Sequence, residues 1–165
     1  MRGPAPRPLA PVFEGGGQEQ GRRGGTRPLP AIAGLAAALC DVLDNPRDLA
    51  PLRNRLEQAA QAAGALVCGA GAPRLGNTAS LVLPGRRAQG QLMRLDLDGL
   101  CVSAGSACSS GKVAFSHVLE AMGLGEQAGQ AIRVSLPWNT QEADVERFVQ
   151  SYARMAAGAG LALAQ

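Results

Sequence analysis

With 165 residues the chain is long enough to bury one core of ordinary size. Apolar residues make up 46% of it and charged residues 18%, a balance that excludes an intrinsically disordered chain, and no run of about eighteen apolar residues is present that would span a membrane. The formal charge of +3 rests on dispersed arginines, grouped only at Arg22, Arg23 and Arg27 and at Arg86-Arg87, which is too sparse for a nucleic-acid-binding module but compatible with an acidic partner.

Met1 to Phe13 reads as an irregular tail, because prolines at positions 4, 6, 8 and 11 remove backbone donors and restrict the backbone to extended and turn forms. They also interrupt the apolar stretch that a signal peptide needs, so the chain is expected in the cytosol. Gly15-Gly16-Gly17 opens a polar loop to Thr26 that lacks the lysine and hydroxyl spacing of a nucleotide loop. From Pro30 onward Ile32, Leu35, Ala36, Leu39 and Leu43 recur at helical spacing, up to the break at Asp44-Asn45-Pro46. Asn45 and Pro46 suit the cap and first position of a second helix, with Leu49, Leu52, Leu56, Ala59 and Ala63 as its buried stripe and Gly64 as its stop.

Residues 65–68 and 79–83 predict short strands separated by a loop over 69–78. Residues 88–97 predict a helix closed by Asp98-Gly99, and 100–103 a third strand that delivers the chain into a loop of small residues, 104–111. Ser116 suits the cap of a helix through Met122, stopped by Gly123, and 131–136 predict a fourth strand. Pro137-Trp138-Asn139 then reads as a structural turn into a last helix capped by Thr140, with Val145, Phe148, Val149 and Tyr152 on one face and Glu142 and Asp144 complementing its dipole. The expected fold class is α/β, a small sheet packed against helices.

Four cysteines, at 40, 68, 101 and 108, are expected as free thiols in a reducing compartment. Neither their spacing nor the lone His117, placed near a helix start, makes a metal site. Cys40 in a helix, Cys68 at a strand end and Cys101 on a strand are expected to be structural, with Cys40 and Cys101 in the core. Cys108 differs: in Gly105-Ser106-Ala107-Cys108-Ser109-Ser110-Gly111 no neighbour is bulky enough to cover it. It reads either as a small residue in a packed turn or as an accessible nucleophile.

The stretch from Val102 to Lys112, followed by Ser116-His117-Val118-Leu119 and by Ile132-Arg133-Val134-Ser135-Leu136, resembles the active-cysteine region of the group I cysteine desulfurases, pyridoxal-phosphate-dependent enzymes of fold type I associated with iron–sulfur cluster assembly. Gly15 to Thr26 resembles a second motif of that family, and Gly76-Asn77-Thr78 falls where the family's small domain begins a strand. The resemblance implies a homodimeric enzyme that converts L-cysteine to L-alanine and leaves a persulfide on Cys108 for a sulfur-acceptor protein. It further implies that Arg133, with Asn77, binds the substrate and its α-carboxylate, that Thr26 contacts the cofactor phosphate of the neighbouring subunit, and that Arg22 and Arg23 face acidic partners.

On that resemblance residues 1–29 are a tail and partner-subunit loop at the edge of a large domain. Residues 30–63 are then a helical connection from that domain, and 64–165 the C-terminal small domain. The family's cofactor lysine has no counterpart: Lys112, the only lysine, does not match it, and the ring-binding residues belong upstream. The chain alone is therefore expected to be inactive and to hold no pyridoxal phosphate. Two readings stand: the C-terminal part of a desulfurase, and a non-catalytic sulfur-carrier or regulatory module that pairs with a complete one.

Overall fold

The structure, a computed structural model of the chain, describes residues 10–11, 13–44, 46–105 and 116–158. It forms two compact units, Met1–Pro46 and Arg47–Gln165.

In the first unit the glycine-rich loop turns left-handed. Gly15, Gly16, Gly17 and Gly21 have positive φ, and so do Glu19 and Gln20, at 52° and 57°. Glycine adopts this backbone freely, whereas each of the two side-chain-bearing residues costs about 1 kcal/mol. Contacts across the loop offset that cost. The Gly24 N–H donates to the Phe13 carbonyl at 2.8 Å, the Gly25 N–H to Gln18 Oε1 at 3.2 Å, and Arg27 pairs with Glu19 at 2.8 Å. A Cβ at Gly24 would meet the Gly15 carbonyl oxygen at 2.7 Å, so this position excludes any side chain.

Helix α1, Leu29–Asp44, follows, with Pro30 in its first turn, where a missing N–H costs nothing. No residue of α1 is buried; Leu29, Leu35 and Leu43 are 70%, 63% and 76% exposed. Cys40 is accordingly exposed and not a core thiol, because the helical period is present but its apolar stripe is uncovered.

The second unit begins with α2, Ala50–Ala62. Its start is four residues later than the sequence suggests: Pro51, not Pro46, occupies the first turn, and Asp48 Oδ1 accepts the Ala50 N–H at 2.9 Å. Asn45 lies outside the described residues. Strands β1 (Leu66–Val67), β2 (Thr78–Val82), β3 (Ser103–Ala104) and β4 (Ala131–Ser135) form one antiparallel sheet in the order β1-β2-β4-β3. Helices α3 (Ala88–Leu97), α4 (His117–Ala121) and α5 (Glu142–Ala157) complete the unit, with a 3₁₀ segment at Gly125–Gln130.

Strand alternation divides this sheet. Ala79 and Leu81 of β2 and Ile132 and Val134 of β4 are buried in one cluster with Leu56 and Ala60 of α2, Leu95 of α3, and Val145, Phe148, Tyr152 and Met155 of α5. On the opposite face Val82 and Ala131 meet Leu119 of α4 and Ala128, which among the described residues cover one end only. The architecture is thus the expected mixed α/β sheet-and-helix arrangement.

Two local expectations fail. The third strand pairs only from Ser103, leaving Leu100 and Val102 packed on the core as irregular chain and Cys101 exposed. Thr140 does not cap α5, because its hydroxyl donates to the Pro137 carbonyl at 2.8 Å; the Gln141 N–H instead donates to Asp144 Oδ2 at 2.9 Å.

Candidate functional site

The uncovered end of the sheet's second face is polar because of register. Arg133, at the centre of β4, stands opposite Ser80 of β2 on one side and Ser103 of β3 on the other, with Thr78 opposite Ser135 further along. Period-2 alternation puts these residues on the face away from the helices. Arg133 is exposed, and its guanidinium has no hydrogen-bond or ion-pair partner among the described residues. A planar fork of donors flanked by two hydroxyls is chemically suited to a carboxylate.

β3 lies beside Arg133 and leads into Gly105, which has a φ of 67°. Cys108 and Lys112 follow it and lie outside the described residues. Along the chain Cys108 stands five residues after Ser103, a tether of at most about 18 Å.

Asn77 precedes β2. Its carbonyl accepts the Leu136 N–H at 2.8 Å and its Oδ1 accepts the Thr78 hydroxyl at 3.3 Å. It is three residues from Ser80, roughly 10 Å along the strand and out of phase with it, so the ladder does not bring Asn77 to Arg133. The segment leading to Asn77 is pinned by a group that the sequence reading passed over. Glu57, in the buried stripe of α2, receives both guanidinium nitrogens of Arg74, Nη2 at 3.0 Å, and lies 3.9 Å from Arg53. The hydrogen bond to Glu57 holds the Arg74 guanidinium above its ordinary pKa. Arg53 Nη1 in turn donates to the Leu75 carbonyl at 2.6 Å. An acidic residue in an apolar stripe was the available signal.

Thr26 is exposed in the first unit, at the end of the left-handed loop, where Arg23 Nη1 donates to the Gly25 and Thr26 carbonyls at 3.0 and 3.3 Å. Arg23 thus spends part of its donor set on the loop itself. His117 is exposed at the start of α4, and Trp138 is exposed in its turn, where its carbonyl accepts Arg47 Nη1 at 2.8 Å. Cys101 lines a mainly apolar cavity of about 310 Å³ with Val134, Leu136 and Phe148. No group of three or more His, Cys, Asp or Glu residues placed to hold a metal exists among the described residues.

The described residues do not compose a pyridoxal phosphate site. None of them is a lysine, so among these residues no side-chain amine is available to the cofactor's aldehyde.

Residues 13–148 match the aminotransferase class-V family. The chain is 37% identical over 147 residues to a cysteine desulfurase of Cereibacter sphaeroides, covering 87% of this chain and 38% of that protein. It is 36% identical over 146 residues to a cysteine desulfurase of Klebsiella pneumoniae, covering 84% and 36%. The chain therefore spans under two fifths of the length of these curated relatives. Among solved structures, a NifS-like protein from Rickettsia africae superposes with a TM-score of 0.75 at 33% identity, over 90% of this chain and 40% of that one. A second NifS-like protein gives 0.76 at 30% identity, over 92% and 40%. Among the described residues, no helix is long and apolar enough to cross a membrane.

Proposed function

The chain belongs to the class-V aminotransferase family, and from that premise we propose that it is the sulfur-accepting, C-terminal part of a cysteine desulfurase. The observation that carries the reading is the placement of Arg133 between Ser80 and Ser103, on the strand beside the one that leads to Cys108. In this reading Arg133 clamps the α-carboxylate of L-cysteine, with Ser80 and Ser103 as flanking donors. The Cys108 thiolate then takes the substrate's sulfur as a persulfide and passes it to an acceptor protein. Thr26 contacts the phosphate of pyridoxal phosphate held by a neighbouring subunit, and Arg22 faces acidic partners. Asn77 is proposed to bind the substrate from the start of β2, a strand end that its carbonyl fixes by accepting the Leu136 N–H.

Breaking the substrate's carbon–sulfur bond needs the electron-withdrawing ring that the family's cofactor supplies when bound. Residues 1–29 are proposed to lie at the edge of the cofactor-bearing domain, 30–63 to connect from it, and 64–165 to form the small domain, in a homodimer working in the cytosol for iron–sulfur assembly.

A second reading uses the same exposed strand, from which β3 leads to Cys108, without turnover: a non-catalytic sulfur carrier or regulatory module that pairs with a complete desulfurase. One experiment separates the two. Alanine formation from L-cysteine is followed with pyridoxal phosphate, first for this chain alone and then with a cofactor-bearing upstream domain added. The desulfurase reading expects no turnover alone, and turnover in the mixture that is lost in Cys108→Ser and slowed about a hundredfold or more in Arg133→Ala, as for loss of a charge clamp. A mixture whose turnover is unaffected by Cys108→Ser would sink it. Sulfur accepted on Cys108 from a complete desulfurase, without turnover in the mixture, would establish the carrier.

A further inference from the structure

Arg86 and Arg87 have no part in the reading above. They lie in the turn from β2 into α3, and with Arg94 and Arg154 they line a cavity of about 580 Å³ between the start of α3 and the last turn of α5. Three further lining residues, Gly85, Gly90 and Gly158, bring no side chain, so a ligand there approaches the backbone closely. α3 starts without a side-chain cap and without an acidic residue in its first turn, so its first N–H groups have no side-chain acceptor.

The charge is only partly spent within the protein. Arg154 donates to Asp98 at 3.1 Å, Arg94 stands 3.8 Å from the same carboxylate, and Arg86 donates to the Met155 carbonyl at 3.3 Å. Arg87 has no partner among the described residues. Of the four cations, only Arg94 and Arg154 thus face a carboxylate, and they share the same one.

Gln91, also on the cavity wall, is 1% exposed. Its Nε2 donates to the carbonyls of Arg86 and Gln130, at 2.9 and 2.7 Å, which fixes the turn and the orientation of the amide. Its Oε1 is left buried with no donor. An unmet buried acceptor costs on the order of 1–3 kcal/mol and is uncommon without a reason.

We infer that this cleft binds a small phosphate-bearing molecule. Guanidinium forks and a free helix start match phosphoryl oxygens. The cavity has the size of a small-molecule site, while an acidic peptide would need an extended groove. The inference is independent of the desulfurase reading, since it uses neither Cys108 nor Arg133.

The test is titration of the full 165-residue chain with inorganic phosphate at neutral pH and constant ionic strength, followed by amide NMR shifts. Saturable shifts at Gly85, Gly90 and Gly158 are expected, and a phosphate monoester should produce them at the same amides. Arg87→Gln with Arg94→Gln should weaken binding about tenfold or more, while Arg55→Gln, on α2 and outside the cavity lining, should leave it unchanged. Shifts that do not saturate, or that appear at arginines over the whole surface, would overturn the assignment. Tighter saturation of the same amides by a glutamate-rich peptide would overturn it in favour of a protein partner. The wild-type titration decides the matter even if the double variant does not fold.

Discussion

Helices α1 and α5 are each 16 residues long, yet α5 buries Val145, Phe148, Ser151, Tyr152 and Met155 while α1 buries nothing. α1 has the more apolar composition, with alanine, leucine, isoleucine and valine on most of its surface, and its uncovered face includes Ile32, Leu35 and Leu39. In α5 the apolar residues form one stripe and the rest of the surface is polar, with a stacked Phe148–Tyr152 pair at 5.4 Å inside the stripe. Burial raises the Tyr152 hydroxyl well above its ordinary pKa, so it stays neutral in the core. Apolar content marks a helix that needs a cover; a segregated stripe, matched by strand residues such as Leu81 and Ile132, marks one that already has it.

Side-chain truncation should show the contrast most strongly. Phe148→Ala, at a 4% exposed position, is expected to cost about 3–5 kcal/mol, and Leu39→Ala, at a 54% exposed one, less than about 0.5 kcal/mol, by urea unfolding. Equal losses would mean that the face of α1 is covered in solution. A smaller effect should follow from acid. Asp98 joins the end of α3 to α5: the Ser151 hydroxyl and then Arg154 hydrogen-bond its carboxylate and hold its pKa below the usual range. Because the folded value is the lowered one, this stabilisation is present above about pH 4 and is lost as pH falls through the lowered folded value. Ser151→Ala should therefore move the acid-unfolding midpoint to higher pH, as read by circular dichroism. An unmoved midpoint would show that Asp98 does not anchor α5. The smallest effect belongs to the exposed pair between Arg55 of α2 and Glu146 of α5, at 2.7 Å. A double-mutant cycle should give about 0.2–1 kcal/mol, fading with added salt.

The chain's alternation and punctuation made much of this fold legible. The sheet strands at 79–83 and 131–136 and helix α3 over 88–97 fall within a residue of where the sequence puts them, because glycine, proline and β-branched runs act locally. Arg133 was legible only through the family resemblance, and only the register reveals its serine neighbours. The errors are nonlocal. Leu100-Cys101-Val102 has strand composition, but the ladder with β4 begins at Ser103, so Cys101 is exposed. The buried Glu57 depends on Arg74, 17 residues away, and the buried Gln91 on the Gln130 carbonyl, 39 residues away. Neither pairing has a sequence-local signature, and Cys40 fails for the related reason that a helical period cannot say whether its face is covered.

The outermost strands, β1 and β3, are two residues each, against five for β2 and β4 between them. A sheet grows sideways, or templates another chain, through the unpaired donors and acceptors along its rim, and here each rim offers two residues' worth of them. The longer strands, β2 and β4, are enclosed on both sides. Any self-association of this chain should therefore be governed by exposed side-chain surface and should dissolve in mild denaturant, without the persistence of strand-to-strand stacking.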